Sequence, residues 1–286
     1  MAGDPRGMAY TVGYLGPSGT HSEEVARRLY PGGFQLLPFP RIDAVIRAVE
    51  SGEIAEGIVP IENSLEGSVN ITLDTLAHEV SLFITGEAIW PVKHHLLVKP
   101  GTREIRTVIS HVQALAQCRR YLAEHFPAAE QQAAESTALA AQMVASGMGG
   151  WAAIGSAAAA QVYGLEIAAA SIQDNGHNST RFITVGRRPA PYRPGEPAEW
   201  KTSLAFQING ERPGTLCGVL SEFASRNVNL TRIESRPART GLGIYIFFID
   251  VQGSLEEGPV REAFEAVRAK SLWFKELGSY PVLLKG

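Results

Sequence analysis

Short apolar runs alternate with longer amphipathic ones along the first two thirds of the chain. "AYTVGYLG", "FQLLPFP" and "EGIVPIEN" read as strands. "THSEEVARRLY", "RIDAVIRAVESG" and "SVNITLDTLAHE" read as helices between them. Thr20 or Ser22 would cap the first helix, with Glu23 and Glu24 in its first turn, and Gly52 ends the second. The rhythm continues through "IRTVISH", "QALAQCRRYLAEHF", "STALAAQMVASG", "WAAIGS", "AAAAQVYGL" and "EIAAASI". Such alternation predicts parallel sheet covered by helices.

One stretch breaks the rhythm. "SLFITGEAIWPVKHHLLVKPG" (81–101) is long and extended, with no helix in it. It predicts a crossing from one α/β lobe to a second, with the chain returning near 172–182. Two lobes joined by two extended crossings enclose a cleft at the hinge, although the same elements could build a single continuous sheet. "GRRPAPYRPGEPAEW" (186–200) is rich in Pro and charge and predicts an exposed linker. Beyond it the order is strand, helix, strand, strand, helix, strand, the ferredoxin-like βαββαβ. Leu216, Val219, Leu220 and Phe223, spaced three and four apart, give its first helix one apolar face. The expected division is two α/β lobes over 8–186, a linker over 187–200 and a small domain over 201–286.

Composition narrows the function classes. The chain has 286 residues, 45% of them apolar, and a net charge of −3, which gives no reason to expect nucleic acid or an anionic membrane as partner. Its apolar runs are broken before they could span a bilayer. "MAGDPRGMAY" lacks the apolar core of a secretory signal and reads as a loose tail, with Met8 as an alternative start. Cys118 and Cys217 each sit in an apolar helical pattern and read as small buried hydrophobes, so a reducing cytoplasmic compartment is expected. The seven histidines show no metal spacing, so neither a metal nor a cofactor is expected.

Candidate chemistry lies where strands give way to helices, because ligands of open α/β sheets bind there. Those turns carry Ser18 and Thr20, then Glu62, Asn63 and Ser64, then Ser110 and His111, then Gly155 and Ser156. Hydroxyls at helix starts serve as caps or, together with free N–H groups, as anion sites. Four such turns around one cleft point to a small acidic ligand. A carboxylate suits them better than a phosphate, since "GYLGPSGTHS" lacks both the lysine of a phosphate loop and GxGxxG spacing. "NSTRF" (178–182) bunches an amide, two hydroxyls and a guanidinium at the entrance of a strand that soon buries Ile183 and Val185. On that strand Thr180 and Phe182 share a face, and Arg181 points away.

"TRF" at 180–182, "VPIENSLEGSVNITLDTL" at 59–76 and "GYLGPSGTHSEEVA" at 13–26 together resemble the prephenate dehydratase family. "SHVQALAQC" at 110–118 is similar to that family's SHPQALxQC, with Val112 where Pro is usual. "RPGTLCGVLSEF" and "IESRP" resemble the GALxxxL and ESRP motifs of the ACT domain that follows it, with Thr215 in place of Ala. The resemblance implies an α/β fold: a two-lobed periplasmic-binding-protein-like catalytic domain followed by a ferredoxin-like βαββαβ ACT domain. It implies a stand-alone enzyme converting prephenate, or its amino analogue arogenate, without a cofactor. Thr180 would serve the leaving hydroxyl, with Arg181, Phe182 and Glu62 as further catalytic candidates. Asn63, Ser64, Thr75, Ser110 and Gln117 would orient substrate, joined by Ser18 and Thr20 from the first helix start. Gly214, Leu216, Asn229, Leu230, Glu234 and Ser235 would form an allosteric site for L-phenylalanine, shared between two ACT domains of a homodimer or homotetramer. A two-lobed amino-acid sensor without catalysis would share this outline.

Overall fold

The computed structural model describes residues 10–192, 199–210, 212–241 and 243–285. The expected N-terminal tail and residues 193–198 of the expected linker lie outside them. The first lobe comprises β1 (Tyr10–Leu15), α1 (His21–Leu29), β2 (Phe34–Phe39), α2 (Ile42–Ser51), β3 (Glu56–Asn63), the two-residue β4 (Gly67–Ser68), α3 (Asn70–His78) and β5 (Phe83–Pro91). The second contains β6 (His95–Val98), β7 (Thr107–Ser110), α4 (Val112–Gln117), α5 (Arg119–His125), β8 (Glu130–Ala133), α6 (Thr137–Ser146), β9 (Trp151–Gly155), α7 (Ala157–Tyr163) and β10 (Glu166–Ala169). The chain returns to the first lobe as β11 (Ser179–Gly186). The C-terminal domain follows with β12 (Trp200–Gln207), α8 (Thr215–Ala224), β13 (Leu230–Pro237), β14 (Tyr245–Gln252), α9 (Gly258–Lys270) and β15 (Trp273–Leu284).

The second lobe has its own sheet, ordered β10-β6-β9-β7-β8. The first lobe is ordered β5-β11-β3-β1-β2. Only part of it is parallel: β1 runs with β2 and β3, whereas β11 runs against both β3 and β5. Helical crossovers impose parallel pairing only on the strands they join, and β11 is reached through the whole second lobe instead. The expected helix over 113–126 breaks into α4 and α5 at Cys118, whose N–H is shared between the carbonyls of Ala114 (3.1 Å) and Leu115 (3.3 Å). β8 escaped the sequence pattern because all four of its residues are exposed; parallel pairing with β7 forms it.

The C-terminal sheet has two occupied faces. Alternation sends Leu204 and Phe206 toward α8 and α9, where they pack with Phe223, Ile249 and Phe264. Ala205, Ile246, Phe248, Leu277 and Tyr280 turn the other way, into one core with Val45, Ile46, Leu73, Leu76 and Leu82 of the first lobe. Each large apolar side chain fully buried there contributes about 1.5–3 kcal/mol. The long β15 closes the connection: it pairs with β12 along most of its length, and its end (Val282, Leu284) pairs with Glu87 and Ala88 of β5. The first-lobe sheet and the C-terminal sheet are therefore continuous, while the second lobe stays separate.

Of the two cysteines only Cys118 is buried, and that burial, with the charge of Asp174, pushes its thiol up to about 12. Cys217 is exposed, because it falls outside the stripe formed by Leu216, Val219, Leu220 and Phe223. Among the described residues no helix is long and apolar enough to cross a membrane. No group of three or more His, Cys, Asp or Glu among them is placed to hold a metal.

Candidate functional site

Thr180 enters β11 paired with Asn63 of β3 on one side and Trp90 of β5 on the other. Asn63 ends its strand in a side-chain turn: its Oδ1 accepts the backbone N–H groups of Leu65 (2.9 Å) and Glu66 (3.1 Å). Backbone N–H can only donate, so the orientation of the Asn63 amide is fixed. Its Nδ2 then donates toward Thr180 Oγ1 and Asn178 Oδ1, each at 2.9 Å. Thr180 is thereby an acceptor from Asn63, and no described residue takes its own proton, so the hydroxyl is free to donate.

The same logic runs onward into the second lobe. Buried Asn178 donates its Nδ2 to Gln117 Oε1 at 2.9 Å. Gln117 Oε1 also lies 2.9 Å from His94 Nε2, which must therefore be the protonated nitrogen. His94 Nδ1 is buried and has no partner among the described residues. Burial pushes the His94 imidazole down to about 4, so it stands neutral near pH 7. Ser64 clamps the two strand ends: it donates to His177 O (3.1 Å) and accepts from Ser179 N–H (2.9 Å).

The lobes also touch at a second place. Ser156 donates to Gly19 O (2.7 Å), Tyr163 OH donates to Ser18 O (2.8 Å), and Ala158 N–H donates to Glu24 Oε1 (3.2 Å). The start of α7 thus already holds a carboxylate, one from the first lobe. Burial alone would raise the Glu24 carboxyl; hydrogen bonds from His21, Trp90 and Ala158, with the charge of His21, bring it below its ordinary value.

Several expected site residues turn out to be engaged elsewhere. Thr20 caps α1 by accepting from Glu23 N–H and gives its proton to Leu15 O at 2.9 Å, so its hydroxyl is committed to backbone. Ser18 lies 3.2 Å from Tyr14 OH and lines a hollow of about 490 Å³ formed by first-lobe residues such as Tyr14, Arg27 and Phe34. Ser110 is sealed in and donates to Ile154 O at 2.7 Å, tying β7 to β9. Thr75 is an exception: it is fully buried on α3, and its Oγ1 has no hydrogen-bond partner among the described residues. Phe182 packs in an apolar cluster with Val12, Tyr14, Val25 and Ile58.

Arg181 and Glu62 leave the Thr180 face altogether. Alternation along β11 sends the Arg181 guanidinium to the C-terminal domain, 2.6 Å from Asp250 and 2.6 Å from Glu87. Glu62 stands between Arg181 (3.6 Å) and Arg232 (3.4 Å), an ion-pair position on that same seam. The sequence assigned neither Asn178 nor His94 a role. Asn178 carried a signal, as one more polar group at the mouth of the strand; His94 carried none beyond its place on the crossing.

The C-terminal candidates divide in the same way. Gly214 caps α8 at φ 84°, and a Cβ there would meet nothing within 4 Å. Its left-handed backbone, rather than crowding within this chain, accounts for glycine. Leu216 and Leu230 are partly buried against the domain core. Asn229 donates to Gln252 Oε1 at 3.1 Å and, with Leu230, lines a hollow of about 380 Å³ at the end of α8. Glu234 faces the first lobe and accepts from Ser68 Oγ at 2.8 Å, whereas Ser235 beside it is exposed. The two residues therefore do not share a face.

This fold and this polar cluster define a two-lobed α/β protein of the periplasmic-binding-protein type, whose first lobe is fused to a ferredoxin-like domain. The family model described as prephenate dehydratase matches residues 12–190, and that of the ACT domain matches 205–269. A prephenate dehydratase from Mycolicibacterium vanbaalenii is 41% identical, covering 94% of this chain and 90% of its own. The crystal structure of an Arthrobacter aurescens prephenate dehydratase in complex with L-Phe superposes with a TM-score of 0.85 at 37% identity, covering 94% of this chain and 89% of the other. A structure described as GqqA, a novel type of quorum quenching acylase, superposes at 0.84 with 33% identity, covering 95% of this chain and 98% of the other. The chain belongs to the prephenate dehydratase family.

Proposed function

We propose that this chain converts prephenate to phenylpyruvate, carbon dioxide and water, with Thr180 as the donor to the departing hydroxyl. The carrying observation is the fixed Asn63 amide, which makes Thr180 Oγ1 an acceptor and leaves its O–H for the substrate. The substrate is a dianion whose ring carboxylate leaves as carbon dioxide, its electron pair expelling the ring hydroxyl as hydroxide, which takes a proton from solvent to become water. The enzyme must hold the ring, exclude water from the carboxylate and stabilise the departing oxygen. A threonine hydroxyl is a weak acid, so its contribution is a positioned hydrogen bond. Asn63, Asn178 and Gln117 supply the orienting amides. His94, neutral and donating through Nε2, anchors the far end.

Mixing the protein with prephenate and following phenylpyruvate absorbance tests the activity; arogenate run in parallel tests substrate preference, and an acylase assay covers the activity described for GqqA. Thr180→Val keeps the shape and removes the O–H. Turnover is expected to fall by roughly 10²–10³-fold with KM little changed. Near-normal turnover in that variant would remove Thr180 from the mechanism.

L-Phenylalanine regulates this activity through the ACT domain, in the hollow beside Asn229 and Leu230. β13 is the outer strand of its sheet and exposes Ile233, which supports pairing of two ACT domains in a homo-oligomer. Light scattering with and without phenylalanine, beside an inhibition curve, tests both parts. A monomer whose turnover ignores phenylalanine contradicts them.

A further inference from the structure

Arg181 follows Thr180 directly in the chain, yet two of the three partners of its guanidinium belong to another domain. Nε donates to Glu87 Oε2 at 2.6 Å, one terminal nitrogen to Asp250 Oδ2 at 2.6 Å, and the other to Tyr280 OH at 3.1 Å. Every member is enclosed: Arg181 is 9% exposed, Asp250 3%, and Glu87 and Tyr280 0%. The network is also closed chemically. Lys201 reaches Glu87 Oε1 at 2.5 Å, Ser203 donates to Asp250 Oδ1, and Ser203 Oγ lies 2.6 Å from Tyr280 OH. Buried Arg181 and partly buried Lys201 face the buried carboxylates of Glu87 and Asp250, with the more exposed Glu62 3.6 Å from Arg181. A network this enclosed and this fully paired has few alternative arrangements, so it fixes position.

Its place on β11 matters as much as its composition. The register of β11 against β3 shifts between Arg181 and Phe182, one residue beyond Thr180. The extra residue, Ile61, lies on β3, and such an irregularity bends the strand and locally disrupts the ladder beside Thr180. β5 holds β11 in unbroken register from Ser179 to Thr184, and the Arg181 side chain adds an anchor at the irregularity, two of whose three partners, Asp250 and Tyr280, belong to β14 and β15.

We propose that Asp250 and Tyr280 of the C-terminal domain are positioning residues for catalysis, setting Thr180 through Arg181. Neither touches the Thr180 cluster; both act on the backbone that carries it. The inference rests on the reading of Thr180 as catalytic.

The test uses the full chain. Asp250→Asn keeps the size of the side chain and removes its charge, and Tyr280→Phe removes one hydroxyl and no packing. Asp74→Asn is the control: Asp74 is a buried interdomain ion-pair partner of Arg236 and Arg239 and makes no ion pair with the Arg181 network. With prephenate, both network variants are expected to lose about tenfold in kcat with KM within about twofold, the signature of a misplaced group that still binds substrate. Asp74→Asn should keep its kcat within about twofold even where its melting temperature drops. Amide hydrogen exchange over 178–182 should rise in Asp250→Asn and Tyr280→Phe and stay at the wild-type rate in Asp74→Asn, whatever the activity. Wild-type kcat in Tyr280→Phe, an equal kcat loss in Asp74→Asn, or unchanged exchange over 178–182 in the network variants would each overturn the proposal. A wild-type chain inert toward prephenate would instead refute the assigned reaction, and the exchange data would still decide the coupling.

Discussion

Asn63 carries the logic of the site at the level of single residues. Its Oδ1 is bound by two backbone N–H groups, so the direction of every amide after it follows. Asn63→Asp preserves that side-chain turn but replaces the donor facing Thr180 with an acceptor. The Thr180 hydroxyl would then donate to the new carboxylate instead of to the substrate. A kcat loss of roughly 10–100-fold is expected with little change in melting temperature, measurable by steady-state kinetics beside thermal denaturation. His94 makes a second prediction, on pH. Its folded-state value of about 4 lies below the ordinary 6.5, so between those limits the unfolded chain binds the proton more readily. Stability is therefore lost as pH falls from 6.5 toward 4, by roughly 3 kcal/mol in total from this group. His94→Asn should flatten the fall in melting temperature across that window; an unchanged slope would contradict the assignment. Thr180, Asn63 and Gln117 were legible in the motifs. Asn178 and His94 were not assigned, because their meaning depends on partners that are distant in sequence.

Secondary-structure elements sort residues that motifs cannot. Along β11 alternation turns Thr180 toward Asn63 and Arg181 toward Asp250, so adjacent letters of "TRF" serve different places. At the starts of α1 and α7 the hydroxyls of Thr20 and Ser156 serve as helix caps. Ser156 caps α7 through Ala159 N–H and also donates to Gly19 O across the lobes. Ser156→Ala removes both bonds, and a stability loss of about 1–2 kcal/mol is expected from urea unfolding. Helices and interior strands were readable because their periodicity is enforced by a buried face. β8, with four exposed residues, and the α4–α5 break at Cys118 have no such pattern, and only pairing and packing form them.

At the scale of the whole molecule the first lobe and the C-terminal domain share one core. Leu73, Leu76 and Leu82 pack against Ile246, Phe248 and Tyr280, and Lys275 Nζ donates to Leu76 O at 2.6 Å from across the seam. Asp74 adds ion pairs to Arg236 and Arg239; burial alone would raise its carboxyl, and the hydrogen bonds and charges of those arginines bring it below its ordinary value. Units that share a core lose it together. Scanning calorimetry is expected to show the two melting in one transition, and well-separated transitions for them would contradict the shared core.

The amino-acid sequence by itself determined most of the strands and helices and the family, and it singled out the Thr180 hydroxyl as a candidate. Those features depend on local periodicity, capping and short motifs. Tertiary structure alone decided that β11 runs against its neighbours and that Asn178 and His94 complete the polar chain. It also decided that Arg181 belongs to the domain seam. Each of these depends on which distant segments become neighbours, and no local pattern encodes that.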